Sequence, residues 1–141
     1  MRPAAIALAV LLLCTGEPSA LSVWPAERAL VDAYFADWNA AAARGPEAQD
    51  EFFSRTQDPE IIRSGCEPLR RSVFLEPQPG TLQVDPGWLP PGQRTHPSGR
   101  VFGIAVLASQ VGEFATDSNQ IGMKHVVIRN GRSYGFAPCT R

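Results

Sequence analysis

A dipeptide near the C-terminal end of the chain, Asn130-Gly131, constrains the fold more than any other feature of the sequence. Both residues tolerate the positive φ angles of a type I′ turn, and the alternating runs that flank them predict a two-residue β-hairpin. Because strand side chains alternate, one hydrophobic face of a curved antiparallel sheet should carry Met123 and the facing pairs. The register predicts these pairs: Arg129 with Arg132, Val127 with Tyr134, and His125 with Phe136.

Two amphipathic helices are predicted ahead of this sheet. Apolar side chains recur at helical spacing in residues 25–44 and again in residues 46–55, and each segment opens on a proline, which suits the first position of a helix. Gly45 separates the two segments. The expected buried side chains are Leu30, Tyr34 and Trp38 in the first helix, and Ala48, Phe52 and Phe53 in the second.

The strands are predicted after the helices. The segments with strand-like alternation are 72–76, 82–84, 100–108, 111–117, 122–129 and 132–137. Residues 77–99 are rich in proline and glycine and are therefore expected to form a loop, in which Trp88 and Leu89 cover apolar sheet surface. Helices followed by strands are typical of an α+β domain with the helices packed on one face of the sheet.

The first 22 residues are predicted to be a cleaved signal peptide. Arg2 precedes an apolar run, residues 4–13, which is too short to span a bilayer. Small residues at the −3 and −1 positions favour cleavage after Ser22, with cleavage after Ala20 as the alternative. The protein is therefore expected to be secreted or extracytoplasmic. Lipidation at Cys14 is a minor alternative, because Leu13 stands where a small residue is typical.

The two cysteines that follow the leader, Cys66 and Cys139, are expected to form a disulfide, as an even pair in an exported protein usually does. In the loop-closure model such a bond stabilises the fold by about 4 kcal/mol. A metal or redox site would need more ligands or a C-x-x-C spacing. No metal or cofactor is therefore predicted.

Charge and hydropathy limit the kinds of partner that the sequence indicates. The formal net charge is −1, without a Lys/Arg run, so neither nucleic acid nor an anionic membrane surface is indicated. No second long apolar run follows the leader, which predicts no membrane span. Residues 23–141 are expected to form a single domain.

Two segments of the sequence resemble a known protein family. The segments AYFADWNAAAARG, with the paired phenylalanines after it, and GEFATDSNQIGMKHVVIRNGRSYGF resemble the opening and the close of the nuclear-transport-factor-2-like superfamily, which includes ketosteroid isomerases and polyketide-cyclase-like enzymes. The resemblance covers residues 27–56 and 100–137. It implies a cone in which helices lie across a strongly curved sheet and enclose a pocket.

The same resemblance allows a test of enzymatic function. Tyr34 and Asn39 resemble the Tyr-x-x-x-x-Asn run that supplies an oxyanion donor in ketosteroid isomerases, and Asp58-Pro59 resembles the position of the base. Lys124, however, stands where those enzymes keep a neutral acid beside the tyrosine. The catalytic set is therefore incomplete.

Three further patterns have structural interpretations. Residues 131–135 match G-x-S-x-G, but Ser133 lies in a hairpin strand and not at a strand-to-helix elbow, so the match is fortuitous. His125 is expected either to be a buried histidine with a hydrogen bond or to orient a ligand in an apolar pocket. Arg129 and Arg132 would repel each other across the hairpin unless an acidic partner or solvent lies between them.

The sequence predicts a non-catalytic, exported domain that binds a small apolar ligand or a partner protein through its cavity or its sheet face. The alternative is an isomerase- or dehydratase-like enzyme that uses Tyr34, His125 and Asp58. A third possibility is a module that forms homodimers through the sheet face. The candidate pocket residues are Tyr34, Trp38, His125, Val127, Tyr134 and Phe136.

Overall fold

The computed structural model describes residues 19–61, 68–111 and 120–136. Several predictions from the sequence lie outside these ranges. They are most of the signal peptide, the lipidation alternative at Cys14, the disulfide between Cys66 and Cys139, and most of the strand expected at 111–117.

The described chain folds into two helices and five strands. They are α1 (Pro25–Ala43), α2 (Pro46–Thr56), β1 (Ser72–Pro77), β2 (Gln83–Val84), β3 (Arg100–Val111), β4 (Gln120–Arg129) and β5 (Arg132–Gly135). The strands form one antiparallel sheet in the order β1-β3-β4-β5, and the short β2 also pairs with β3. Both helices pack against this curled sheet, which confirms the α+β class predicted from the sequence.

An ion pair holds the start of α1 against β3. Pro25 occupies the first helical position, and the Glu27 carboxylate accepts the N–H of Trp24 at 3.0 Å. Arg100, the first residue of β3, lies 2.9 Å from the same carboxylate through its Nε atom and stacks over the Trp24 ring. Because Glu27 is buried, this pairing keeps its charge from being left without a partner.

The apolar core lies between the helices and the sheet. The helical stripe predicted from the sequence is buried here, apart from Leu30, which is partly exposed. Residues from both helices and from three strands meet in this core: Val31, Tyr34, Phe35, Trp38, Phe52, Phe53, Leu75, Phe102, Ile104, Val106 and Val126.

Two amide side chains bind the free edge of β1 to the helices. Asn39 of α1 donates to the Leu75 carbonyl at 2.7 Å and accepts the Leu75 N–H at 2.9 Å. Gln49 of α2 makes the same pair of bonds with Val73, at 2.8 and 2.9 Å. Since β1 lies at the edge of the described sheet, these side chains take the place of a neighbouring strand.

The hairpin adopts the predicted turn and register. Asn130 and Gly131 have φ angles of +51° and +72°, as a type I′ turn requires. Arg129 pairs with Arg132, and Val127 pairs with Tyr134. The two-residue loop therefore sets the alignment of β4 with β5.

The side of the sheet that the helices cover differs from the one expected. Val126 lies in the core, and Gly135 faces Tyr34 so closely that an added Cβ would overlap the phenol. Met123, His125 and Val127, which alternate with Val126, therefore point to the opposite side, which we call the outer face. The expectation that the Leu30/Tyr34/Trp38 stripe covers these residues was wrong.

β3 is longer than the pattern indicated, because it continues past 108 to Val111. Its extension includes Ser109 and Gln110, which pair with Phe74 and Val73 of β1. These polar residues give no strand signal of their own, and backbone pairing with β1 keeps them in the sheet.

We predict that Gln49→Ala lowers the free energy of unfolding by about 2–4 kcal/mol, because it removes two hydrogen bonds and leaves the Val73 N–H without its partner. Urea denaturation followed by circular dichroism measures the change. Glu47→Ala, an exposed position on the same helix, is the control and should change stability by less than about 0.5 kcal/mol. Equal losses in the two variants would contradict the role assigned to Gln49.

We predict that Gly135→Ala destabilises the fold by about 2 kcal/mol or more, because its methyl group would collide with the Tyr34 hydroxyl. Tyr34→Phe in the same chain should recover part of this loss, since it removes the oxygen atom nearest to the new methyl. A double-mutant cycle of denaturation measurements tests this coupling. Gly80→Ala, where an added Cβ meets no atom within 4 Å, is the control.

Candidate functional site

The structure divides the six candidate pocket residues between the two sides of the sheet. Tyr34 and Trp38 lie in the core on the helix side. His125, Val127, Tyr134 and Phe136 belong to the outer face by strand alternation and by the contacts given below. The six residues therefore do not line one cavity, and a ligand-binding role for any of them stays a prediction.

Aromatic rings occupy the helix side where the pocket was expected. Tyr34 packs against Phe52 at a centroid distance of 5.4 Å, and Trp38 packs against Phe53 at 4.5 Å. Tyr34 and Trp38 are only 5% and 3% exposed, and the Trp38 indole N–H donates to the Val73 carbonyl at 2.8 Å. Burial raises the pKa of the Tyr34 phenol, so it stays protonated at neutral pH. These rings contribute to the core.

A polar and aromatic cluster lies on the outer face. His125 Nε2 and Asp85 Oδ2 are 3.0 Å apart, and the Trp88 ring stacks on the imidazole at 4.1 Å with an interplanar angle of 12°. Phe136 packs against the same Trp88 ring at 4.7 Å. We call Asp85, Trp88, His125 and Phe136 the outer cluster. It brings together two of the candidate pocket residues, His125 and Phe136.

A glycine leaves room for the imidazole on the sheet. Gly103 pairs with His125 across β3 and β4, and a Cβ added to it would lie 3.2 Å from His125 Nε2. Trp88 covers the ring from above. His125 is therefore enclosed between the strand backbone and an indole, and its side chain is 11% exposed.

The outer cluster also fastens the proline-rich segment to the sheet. The Asp85 N–H donates to the Val101 carbonyl at 2.8 Å, and the His96 Nδ1 atom lies 3.0 Å from the Trp88 carbonyl oxygen. Trp88 lies over the sheet, as the sequence predicted, but the side chain that it covers there is the imidazole of His125. Leu89 does not follow that prediction, because it is exposed.

Asp58 forms a separate acidic site beside the hairpin. Its carboxylate Oδ1 accepts a hydrogen bond from Arg129 at 2.7 Å, and Glu60 accepts a second one at 2.9 Å. The hydrogen bond that Arg129 donates to Asp58 raises the pKa of Arg129 above its usual value. These carboxylates give Arg129 acidic partners beside the hairpin.

The three residues of the enzyme hypothesis are not brought together. Tyr34 is buried on the helix side, His125 contacts Asp85 on the outer face, and Asp58 binds Arg129. Asn39, which resembled part of an oxyanion motif, holds β1. The geometry required for proton transfer between these groups is therefore absent from the described residues.

An open apolar area lies on the same outer face, next to the exposed Glu76 of β1. Ile121 and Met123 of β4 are 81% and 49% exposed. They pair with Leu107 and Ala105 of β3, which lie on the same face. Phe74, one strand further, is partly exposed. These five residues form what we call the apolar patch.

Neither metal-site nor membrane features are found in the residues the structure describes. Within 19–61, 68–111 and 120–136, no group of three or more His, Cys, Asp or Glu side chains is arranged to hold a metal ion. In the same ranges, no helix has the length and apolar character needed to cross a membrane.

Comparisons with protein-family models, with curated proteins and with solved structures found no match to this chain. The resemblance to the nuclear-transport-factor-2-like superfamily therefore remains a prediction from the sequence.

Sequence reasoning missed Asp85 as a partner of His125. The two residues are 40 positions apart, and Asp85 lies in a loop where no periodicity constrains it. The one available signal was the nearby Trp88, because a tryptophan in a proline-rich loop needs apolar surface to cover.

We predict that His125 titrates below the usual histidine pKa, because burial disfavours its charged form more than Asp85 favours it. A histidine whose pKa is lowered by folding stabilises the protein above about pH 6.5, and this contribution is lost as the pH falls through the folded-state pKa. An NMR titration measures the pKa, and His96→Gln assigns the two histidine signals.

Asp85→Asn should lower the pKa of His125 further, since it removes the charge that favours the imidazolium. Asp37→Asn, an exposed position on α1, is the matched control and should leave the titration unchanged. A rise in the His125 pKa in Asp85→Asn would contradict the pairing.

Proposed function

We propose that this chain is a non-catalytic domain that binds a second copy of itself through the apolar patch of the outer face. The observation that carries the proposal is the exposure of Ile121 and Met123 on an open strand of the sheet. Exposed apolar side chains grouped on one surface are typical of interaction sites.

The packing on the helix side favours a binding site on the outer face of the sheet and not in a cavity under the helices. Tyr34, Trp38, Phe52 and Phe53 fill the interval between α1, α2 and the sheet with ring-to-ring contacts. A ligand there would have to displace core side chains, which costs several kcal/mol for each large residue.

Two properties of the patch favour a second copy as the occupant. A two-fold symmetric interface needs one surface only, because each subunit presents the same patch to the other. The five residues of the patch are uncharged, and the charged neighbour on the same face, Glu76, lies opposite Leu107 at the β1 edge. Stable interfaces bury about 800 Å² per partner, so the contact would extend beyond these five residues over the outer face.

The proposal also includes three expectations from the sequence: export, a disulfide and membership of the superfamily named above. The leader pattern in residues 1–22 supports action outside the cytoplasm, and the even cysteine pair after it supports a Cys66–Cys139 disulfide. The helix-on-curved-sheet arrangement is compatible with the cone of the superfamily named above. Separation of Tyr34, His125 and Asp58 favours binding over the isomerase-like alternative.

We predict that the purified protein sediments as a dimer at micromolar concentration and that Ile121→Glu or Met123→Glu raises the dissociation constant at least tenfold. Each dimer would contain two copies of the new charge, and removal of a buried apolar side chain costs about 1.5–3 kcal/mol. Analytical ultracentrifugation over a concentration series measures the constant.

Gln120→Glu provides the matched control, because this exposed residue of β4 adds the same charge on the alternate side of the strand. It should leave the dimer intact. A wild-type protein that is monomeric at about 100 µM, or variants at 121 and 123 that dimerise as the wild type does, would refute the proposal.

A further inference from the structure

Met123 is the only methionine that follows position 1 in the sequence. Its thioether differs in chemistry from the other side chains of the apolar patch, which are hydrocarbons. The reduced thioether is apolar and flexible, but peroxides convert it into a polar sulfoxide. The accessibility of this sulfur and its place within the patch therefore matter for self-association.

The fold leaves Met123 accessible to small oxidants, because the residue is 49% exposed on the outer face. Its strand partner on β3 is Ala105, and its Cε atom lies 3.3 Å from the position that a Cβ on Gly103 would occupy. The thioether therefore lies across β3. Ala105 and Gly103 are too small to cover it, so a peroxide in solution can reach the sulfur.

The oxidation state of Met123 affects what the patch can bind. Ile121 and Leu107 are its neighbours there, and none of the five patch residues has a side-chain hydrogen-bond donor. In a free subunit, water satisfies the oxygen of a sulfoxide. In a two-fold dimer the same apolar patch lies opposite, so this oxygen loses water without gaining a donor from the patch. Oxidation therefore opposes association in both subunits.

We propose that Met123 is an oxidation site at which peroxides dissociate the dimer. The inference rests on the self-association proposed above and adds a form of regulation to it. The sulfur attacks one oxygen of hydrogen peroxide, an S–O bond forms, and the O–O bond breaks. The second oxygen leaves as water with both hydrogens of the peroxide. The sulfur is oxidised to the sulfoxide as the peroxide is reduced.

The equilibrium between subunits and dimer is coupled to this oxidation. Free subunits present the sulfur to solvent, whereas the dimer covers it. A peroxide therefore reacts with free subunits and removes them from the equilibrium. Methionine sulfoxide reductases convert the sulfoxide back to the thioether, so the modification is reversible.

Peroxide treatment followed by sedimentation tests the proposal. The full chain is treated with hydrogen peroxide, and peptide mass mapping measures oxidation of Met123 separately from that of Met1. We expect complete oxidation of Met123 to raise the dimer dissociation constant at least tenfold in analytical ultracentrifugation. We also expect Met123 to be oxidised more slowly at protein concentrations above the dissociation constant than below it.

Two variants serve as controls. Met123→Leu has no sulfur at this position, so its own dissociation constant, measured before treatment, should not change with peroxide. This comparison excludes effects of oxidised cysteine or tryptophan. Ile121→Glu, which weakens the dimer, should be oxidised at Met123 at the free-subunit rate under conditions where the wild type is protected.

The outcomes distinguish this inference from the dimer itself. A wild-type chain that does not self-associate before treatment would overturn both. A dimer whose dissociation constant rises less than tenfold after complete oxidation of Met123 would overturn only the oxidation site. An equal rise in Met123→Leu, or equal rates of oxidation above and below the dissociation constant, would have the same consequence.

Discussion

The hydrogen bonds from Asn39 and Gln49 to β1 determine how the helices sit on the sheet. The hydrophobic effect is non-directional, so it does not by itself fix the position of a helix on the sheet. Each amide instead binds both backbone groups of one residue, Leu75 or Val73, at 2.7 to 2.9 Å. The Trp38 indole is a second donor to the Val73 carbonyl. One edge of the sheet is thereby closed, and the aromatic core is held in register with it.

Local patterns predicted the elements well but not the side on which they pack. The Asn130-Gly131 turn and the apolar stripe of α1 follow from short-range rules, and both are confirmed. Strand alternation also grouped Met123, His125 and Val127 correctly on one face. It did not identify the helix side, because Val126 and Val127 are both fully buried. A strand covered on both sides is apolar on both, so its sequence has no preferred face.

The polar contacts of the candidate site could not be predicted from the sequence, because the partners are far apart along the chain. Asp85 meets His125 across 40 positions, and Asp58 meets Arg129 across 71. For Arg129, the repulsion from Arg132 left an acidic partner or solvent as alternatives. For His125, the alternation of the strand placed the ring on a face but did not indicate Trp88 or Gly103, whose fit depends on the path of the 77–99 loop.

The middle of β4 is covered on both sides. The exposed apolar side chains of this strand lie at its end away from the hairpin. Val126 faces the helices, and Trp88 covers His125 on the outer face. Before them, Ile121 and Met123 point outward while Lys124 points toward Trp38. Four consecutive residues thus present an apolar surface on one side and an amine on the other. The backbone of β4 separates these two surfaces.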